Sequence, residues 1–381
     1  MANIIDYLKW RGDVPFDFDP FNEVDALVLC ELVYANFDGI VPGPGPKDKI
    51  SIEEVCDKFF EKYKKEELLD SKRITKLAPF LLPEMANSAR FGGMKLAGFV
   101  NEVDEENQSQ FAVCSFYLPD GTIFVAFRGT DDTLVGWRED FNMCFSTGTG
   151  GQIKAVDYLN ENFARTMKRL RVGGHSKGGN FALYASAFAK LHIKDAILDV
   201  YNFDGPGFVQ EILEKKEYNQ MIGRVKKFIP DESIIGMMMY TKAKVTVVKS
   251  DLKGIYQHDP MSWQVVRNHF ETVEAVASSS IKIDEIIKTW TTQFDYEKRA
   301  MFGEIFFSSL VSSGANSMSD ITSKKVRSIA QISKEIQTLK PEDQQIVMDV
   351  FGKLLSVGGD SLKNTILSKL PKSITMRKNE K

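Results

Sequence analysis

LRVGGHSKGGNFALYASAFAK, residues 170–190, is the stretch of the chain that decides its fold. It contains a G-x-S-x-G motif centred on Ser176, between a short apolar strand and an alanine-rich helix. A serine on such a sharp turn has a strained backbone, and the residues two before and two after it pass close together. Gly174 and Gly178 occupy those positions, where a side chain would block the approach. The motif predicts Ser176 as a nucleophile and the amide of Lys177 as a donor to a developing oxyanion. The alternative is a plain glycine-rich turn with a solvated serine.

The sequence around this segment alternates between strands and helices. Upstream, the runs 95–103, 111–118 and 122–127 are rich in β-branched and aromatic residues, and a Pro-Asp-Gly turn separates the last two. Strands near 196–203, 225–229 and 244–250 and helices over 152–168, 177–190 and 208–221 complete the pattern. This order predicts an α/β fold of the α/β-hydrolase type, a mostly parallel sheet flanked by helices.

The two ends of the chain lack this alternation. Helical spacing is present at 20–36, and Ser51 followed by Glu54 resembles a capping box for a second helix. The helical segments after the sheet are predicted at 262–277, 283–312, 323–338 and 341–356. We therefore predict a hydrolase-like domain over 1–275, with N-terminal helices in 1–90 and a sheet core in 91–275. A C-terminal helical appendage over 276–381 would act as a lid, as a surface for homo-oligomers or as part of the core.

Composition excludes several classes of function. The 381 residues carry a net charge of −3, with no basic excess for nucleic acid. The four cysteines form no C-x-x-C pair, which argues against a zinc ribbon or a redox motif. The amino terminus lacks the apolar run of a secretory signal, and no stretch approaches the ~20 apolar residues of a transmembrane helix. These features predict a cytoplasmic protein without a transmembrane segment, metal or cofactor.

A serine nucleophile needs a base, and the chain has only four histidines. His175 precedes Ser176 on the turn, and its side chain should point away from the serine. His192 follows the helix that leads away from the site, and His269 falls in a predicted helix. His258 lies in a loop after the last predicted strand, which agrees with the serine–acid–histidine order of α/β-hydrolases. We therefore predict His258 as the base.

The carboxylate that orients this base is less narrowly determined. Asp231, directly after the strand 225–229, is the first choice because of its place in the strand order. Asp204, at the end of the preceding strand, and Asp251, after the last strand, are the alternatives. All three lie at carboxyl ends of strands, where open α/β sheets place their sites. Asp259, next to His258 in sequence, is poorly placed to orient its neighbour's ring.

A hairpin strand that ends in F-R-G-T at residues 127–130, with Trp137 and Asp140 after it, resembles the fungal-type (class 3) triacylglycerol lipases. The elbow GHSKGG at 174–179 is similar to theirs. The resemblance implies that Thr130 forms half of the oxyanion hole, opposite the amide of Lys177. The chain departs from the lipases at Lys177, where leucine is common, and around Asp231, where their D-x-V-P pattern is absent.

The wider sequence resembles the bacterial Mbeg-like family of hydrolase-like proteins more closely. The phrases YLKWRGD, PFNEVDAL, FRGTDDTLVGW, GHSKGGN, YNFDGPGF, SIIGM and QHDPMSW carry this likeness, from the amino terminus to about residue 270. The resemblance implies the fold and no particular substrate.

These observations together predict a serine hydrolase of the esterase, lipase or thioesterase kind. Ser176 would form an acyl-enzyme with a small-molecule or lipid acyl substrate, with His258 as base and an aspartate as its partner. The alternative is a catalytically silent binding or regulatory protein on a hydrolase fold, with the helical appendage as its interaction surface.

Overall fold

The computed structural model describes residues 2–45, 48–70, 75–131, 133–281 and 296–312, together with 284, 285, 288, 340, 341 and 344. The helix predicted over 323–338 lies outside the described residues, as does nearly all of the helix predicted over 341–356. None of the helices in these described ranges is long and apolar enough to cross a bilayer.

A nine-stranded sheet forms the centre of the fold, in the order β1-β2-β3-β4-β5-β6-β7-β8-β11. Its strands are β1 Ile50–Ser51, β2 Lys95–Asp104, β3 Ser109–Tyr117, β4 Ile123–Phe127, β5 Leu170–His175, β6 Ile197–Phe203, β7 Val225–Pro230, β8 Val245–Val248 and β11 Thr272–Val273. The five strands from β4 to β8 are parallel, whereas the outer strands on both sides are antiparallel. The predicted α/β-hydrolase-type sheet is therefore confirmed, with antiparallel additions at its edges.

Helices cover both faces of this sheet. They are α1 Ile4–Arg11, α2 Glu23–Leu32, α3 Ile52–Lys62, α4 Lys65–Asp70, α5 Leu81–Ala86, α6 Leu134–Met143, α7 Gly150–Asn162, α8 Lys177–Phe188, α9 Leu191–Ala196, α10 Gln210–Leu213, α11 Lys216–Met221 and α12 Tyr296–Ser312. Alternate residues of β4 point to opposite faces. Phe124 and Ala126 belong to the buried cluster formed with α1, α2, α3 and α5, whereas Val125 and Phe127 belong to the cluster formed with α7, α8 and α11.

Capping side chains set the beginnings of the N-terminal helices. The helix predicted over 20–36 begins at Glu23, because the side chain of Asn22 accepts hydrogen bonds from the first-turn amides. The Ser51 hydroxyl accepts from the amide of Glu54 at 3.2 Å and caps α3. These local signals were readable in the sequence because a cap depends only on residues three positions apart.

The prediction of a helix over 262–277 is wrong. The segment forms β9 Val265–Val266 and β10 His269–Phe270, which pair with each other, and then β11 on the free edge of β8. Trp263 and Phe270 are buried against Phe203 of the central sheet, with ring centroids 6.2 Å from it in both cases. The backbone N–H and C=O groups at the free edge of β8 gain hydrogen-bond partners when β11 pairs with them. This pairing and the apolar contacts outweigh the preference for a helix that the local spacing indicates.

Helix α12, in the region predicted as an appendage, lies against α6. Phe307 packs on Phe141 with ring centroids 6.1 Å apart, and Arg138 forms an ion pair with Glu304. The helix therefore contacts the element that directly follows the F-R-G-T strand.

Candidate active site

The elbow between β5 and α8 has the backbone that its motif predicts. Ser176 has φ 57° and ψ −134°, in a region that non-glycine residues rarely adopt. Its amide donates to the carbonyl of Phe203 at 2.9 Å, which holds the turn on the neighbouring strand β6. A Cβ atom added at Gly174 would overlap the carbonyl group of Gly178, and one added at Gly178 would overlap the carbonyl oxygen of Phe127. Glycine is therefore required on both sides of the serine.

Three neighbouring parallel strands bring the candidate residues to one edge of the sheet. β4, β5 and β6 lie side by side and run in the same direction. Thr130 follows the end of β4, Ser176 directly follows β5, and Asp204 directly follows β6. The carboxyl ends of these strands therefore meet around Ser176, as is typical of sites in open α/β sheets.

Ser176, His258 and Asp204 form a continuous chain of hydrogen bonds. His258 Nε2 lies 2.9 Å from Ser176 Oγ, and His258 Nδ1 lies 2.6 Å from Asp204 Oδ2. The side chain of His258 is 16% exposed and that of Asp204 only 1%, so the acid is buried behind the base. A carboxylate can only accept, so His258 presents its Nδ1 proton to Asp204 and its Nε2 lone pair to the serine hydroxyl.

The carboxylate of Asp204 is fixed on both sides. Its Oδ1 accepts hydrogen bonds from the Ser233 hydroxyl at 2.5 Å and from the Gly236 amide at 3.1 Å, and its Oδ2 faces His258. The backbone of Asp204 has a φ of 46°, an unusual value for a residue with a side chain. The three hydrogen bonds that this carboxylate accepts at the end of β6 therefore hold it in one orientation toward the histidine.

The structure does not bring the first-choice acid, Asp231, to His258. The Asp231 amide donates to Val248 and its carbonyl accepts from Ala277, so the residue continues the β7–β8 pairing. Asp251 is exposed, and its carboxylate accepts from Gln264 at 2.7 Å. The alternative aspartate, Asp204, takes the place instead, because β6 rather than β7 adjoins the strand that carries Ser176. The segment after β7 contributes Ser233, which donates to that acid.

The loop that carries His258 is anchored at several points. It ends in a short 3₁₀ turn, Gly254–His258. Glu232 accepts from the amide of Gly254, and its own amide donates to Gln257 Oε1 at 2.8 Å. The indole nitrogen of Trp263 donates to the carbonyl of Gln257 at 2.9 Å. The last two bonds hold Gln257, the residue directly before His258, in place.

His175 lies behind His258 rather than beside the serine. Its Nε2 donates to the carbonyl of His258 at 2.9 Å, which leaves Nδ1 to accept from the Tyr34 hydroxyl at 3.1 Å. The two histidine rings are 4.6 Å apart, and burial lowers the pKa of His175 well below its ordinary value. Burial also raises the pKa of the neighbouring Glu31 carboxyl, 3.6 Å from His175 Nδ1. We infer that a neutral His175 ties the His258 loop to α2 and Tyr34.

The candidate oxyanion donors, the amides of Thr130 and Lys177, belong to two segments that adjoin Ser176. A methyl group at Gly129 would lie 3.0 Å from Cβ of Ser176, so the F-R-G-T loop passes next to this serine. The Thr130 hydroxyl donates its proton to Asp140 Oδ2 at 2.5 Å, so the backbone amide is the candidate donor of this residue. Lys177 is the first residue of α8, and first-turn amides have no acceptor within their own helix. Burial raises the pKa of Asp140 to about 6, against the attraction of the Lys177 ammonium and the Thr130 hydrogen bond.

The remaining histidines lie elsewhere. His192 is exposed on α9, and His269 is exposed on β10, not on the helix predicted for it. Within the described ranges, no group of three or more histidine, cysteine or acidic side chains is arranged to hold a metal ion.

Comparison with models of known families identifies the family of this chain. The model of the Mbeg1-like family matches residues 85–308, which is more than half of the chain. The chain belongs to the Mbeg1-like family. The matched region of this Mbeg1-like chain contains β4, the elbow, Asp204 and His258. No curated protein matches the chain.

Seven chains of solved structures match the Mbeg1-like chain. One is the crystal structure of M37 lipase, at 13% identity and a TM-score of 0.37, with 62% of this chain and 89% of the lipase chain covered.

Several residues of the Mbeg1-like site were not found from the sequence. They are Ser233, which donates to Asp204, Tyr34, which contacts His175, and Glu139, which accepts from Lys177. None of the three has a motif around it, because the fold and not the sequence spacing brings each to its partner. Asp204 did carry a signal, since it directly follows a predicted strand in the phrase YNFDGPGF.

Proposed function

We propose that this Mbeg1-like protein is a serine hydrolase that cleaves a carboxylic ester or a related acyl bond through an acyl-enzyme. The observation that carries the proposal is the hydrogen-bond chain from Ser176 Oγ through His258 to Asp204, with links of 2.9 and 2.6 Å. A serine hydroxyl is a weak nucleophile by itself, and a neutral imidazole at this distance can accept its proton. The finding supports acyl transfer over a purely structural role.

In the first half of the proposed reaction, Ser176 Oγ attacks the acyl carbon while its proton moves to His258 Nε2. The carbonyl oxygen becomes an oxyanion, which the amides of Thr130 and Lys177 would stabilise. The tetrahedral intermediate then collapses, the bond to the leaving group breaks, and His258 donates its proton to that group. The product of this half is an alcohol or thiol together with an ester on Ser176.

In the second half, water attacks the acyl-enzyme. His258 takes the proton of the water, and a second oxyanion forms in the same place. Collapse releases the carboxylic acid and returns the proton to Ser176 Oγ. The buried carboxylate of Asp204 would stabilise the imidazolium that forms in both halves and hold its Nδ1 proton in place.

The surroundings of His258 support a substrate with an apolar group. Leu252, Ile255 and Tyr256 expose 42, 47 and 72% of their surface, in the loop that ends at His258. Exposed apolar side chains beside a site favour an apolar acyl or leaving group over a highly charged one. The four cysteines are unpaired, which supports a reducing compartment such as the cytoplasm.

Mapping the reaction of a fluorophosphonate probe tests this proposal. The probe phosphonylates activated serines, so the folded protein should gain one adduct on Ser176. Ser176→Ala should abolish labelling, whereas Ser146→Ala, a serine outside the proposed site, should be labelled at the normal rate. A wild-type protein that stays unlabelled, or is labelled on another serine, would favour the binding or regulatory alternative.

A further inference from the structure

The side chain of Lys177 is turned away from the site that its backbone serves. It is 1% exposed, and its ammonium group donates to Gln110 Oε1 at 2.8 Å, to the Gln110 carbonyl at 3.2 Å and to Glu139 Oε2 at 3.1 Å. The two partners lie on β3 and α6. A lysine in the elbow therefore reaches across β4 to the helix that follows the F-R-G-T loop.

Glu139 is the centre of this contact. Its side chain is fully buried, and both of its oxygens accept hydrogen bonds. Oε2 accepts from Lys177 and from the Gln110 amide at 2.9 Å, and Oε1 accepts from the Gly151 amide in the first turn of α7 at 2.6 Å. One carboxylate thus joins α6 to β3, to α7 and to the elbow.

The same helix α6 holds the other candidate oxyanion donor. Asp140, next to Glu139, accepts the hydroxyl of Thr130 at 2.5 Å. A methyl group at Gly136, one turn earlier on α6, would lie 3.0 Å from Cγ2 of Thr130. A shift of α6 would therefore move Thr130 relative to the elbow.

Packing alone does not require charged residues here. Two buried charges lose hydration when the chain folds, and apolar residues of similar size often replace such a pair without loss of stability. A fixed geometry is a different requirement, since an oxyanion hole acts only when its donors are held in place before the charge develops. A hydrogen-bonded ion pair between the elbow and α6 supplies such a constraint.

We propose that the Lys177–Glu139 pair is a positioning device, which holds the two halves of the oxyanion hole at a fixed separation. Lys177 contributes one half through its amide. Through Glu139, its side chain fixes α6, and α6 fixes Thr130 through Asp140. This inference rests on the proposed function, because it assumes that both amides face the oxyanion.

Lys177→Met tests the inference, with hydrolysis of p-nitrophenyl acetate and urea unfolding as the readouts. We expect kcat to fall by at least about tenfold while KM changes little, because the donors act mainly in the transition state. The matched control is Arg90→Met, which breaks the equally buried Asp25–Arg90 pair between α2 and the segment before β2. The control should lower the urea midpoint by at least as much, because Arg90 donates five hydrogen bonds and Lys177 three, and it should leave kcat near the wild-type value.

A second variant separates positioning from stability and serves if Lys177→Met does not fold. Lys177→Met combined with Glu139→Gln removes both charges, so its urea midpoint should rise above that of Lys177→Met, although the new NH₂ group faces one of the two backbone amides that Glu139 accepts. Its kcat should stay at least about tenfold low, because the link between the elbow and α6 is still missing. Recovery of kcat together with the midpoint would overturn the inference, as would a folded Lys177→Met protein with normal kcat.

The proposed function fails separately from this inference. A wild-type protein that neither hydrolyses the ester nor reacts with the fluorophosphonate probe would overturn both. A reactive wild type with an unaffected Lys177→Met variant would overturn the positioning role alone.

Discussion

Replacement of Asp204 by asparagine should abolish most activity without unfolding the site. The Oδ1 side of this residue receives two donors, the Ser233 hydroxyl and the Gly236 amide. The carbonyl oxygen of an asparagine would therefore face those donors, and its NH₂ group would face His258 Nδ1. A donor at that position forces the imidazole to carry its proton on Nε2, toward Ser176, where it cannot accept the serine proton.

The size of the effect follows from this wrong tautomer. In serine hydrolases with this arrangement, the equivalent change lowers kcat on the order of 10⁴-fold. That loss corresponds to about 5 kcal/mol in the activation free energy. KM should change little, because the carboxylate is buried behind the histidine and lies away from bound substrate.

The assay is steady-state hydrolysis of p-nitrophenyl acetate by wild type, Asp204→Asn, Asp231→Asn and Asp251→Asn, with circular dichroism as the check on folding. Asp231→Asn and Asp251→Asn should keep wild-type kcat within about threefold, since surface substitutions rarely disturb distant groups. The reasoning is refuted if Asp204→Asn retains more than about a tenth of the wild-type kcat, or if Asp231→Asn is the crippled variant.

Three further predictions concern the surroundings of the site. Burial raises the pKa of Asp140 from 3.8 to about 6 in the folded protein. Between these two values the unfolded chain loses the carboxyl proton more readily than the folded protein, so the stability that the neutral carboxyl supports below pH 4 is lost as the pH rises through 6. Asp140→Asn should therefore remove about 2 kcal/mol from the fall in unfolding free energy between pH 4 and 7, and urea titrations that show the same fall in both proteins would contradict this. Gly178→Ala should lower the unfolding free energy by about 3 kcal/mol or leave the protein insoluble, because the new methyl overlaps the Phe127 carbonyl; a urea midpoint equal to the wild type would argue against the tight elbow. Tyr34→Phe should cost about 1 kcal/mol in urea unfolding and lower kcat, because His175 loses its donor; unchanged stability and rate would mean that this contact is unimportant.

The serine and the histidine of the candidate site could be predicted from the sequence because their signals are local or few. The elbow motif depends on residues within five positions of one another, and only four histidines had to be compared. In the structure, Ser176 Oγ lies 2.9 Å from His258 Nε2.

The acid was not accessible in the same way. Asp204, Asp231 and Asp251 all follow strands, and the sequence does not tell which strand end lies within reach of the histidine loop. The choice depends on the strand order, in which β6 adjoins the elbow strand, and on the unusual backbone of Asp204. It depends also on Ser233, which comes from the segment that was expected to supply the acid.

Long-range pairing explains the other differences. Glu139 and Lys177 are 38 positions apart, so no spacing rule connects them. The segment 262–277 has helical spacing, but the edge of β8 and the aromatic cluster at Phe203 favour strands. The first contact has no local signal, and in the second a tertiary contact outweighs the local pattern.

Detection of an acyl-enzyme during turnover tests the central claim most directly. Acid quenching of the wild type within the first turnovers of p-nitrophenyl acetate, followed by peptide mass spectrometry, should show one acetyl group on Ser176. His258→Ala should show almost none, because no base accepts the serine proton. Hydrolysis without an acetylated intermediate, or an acetyl group on any residue other than Ser176, would contradict the account.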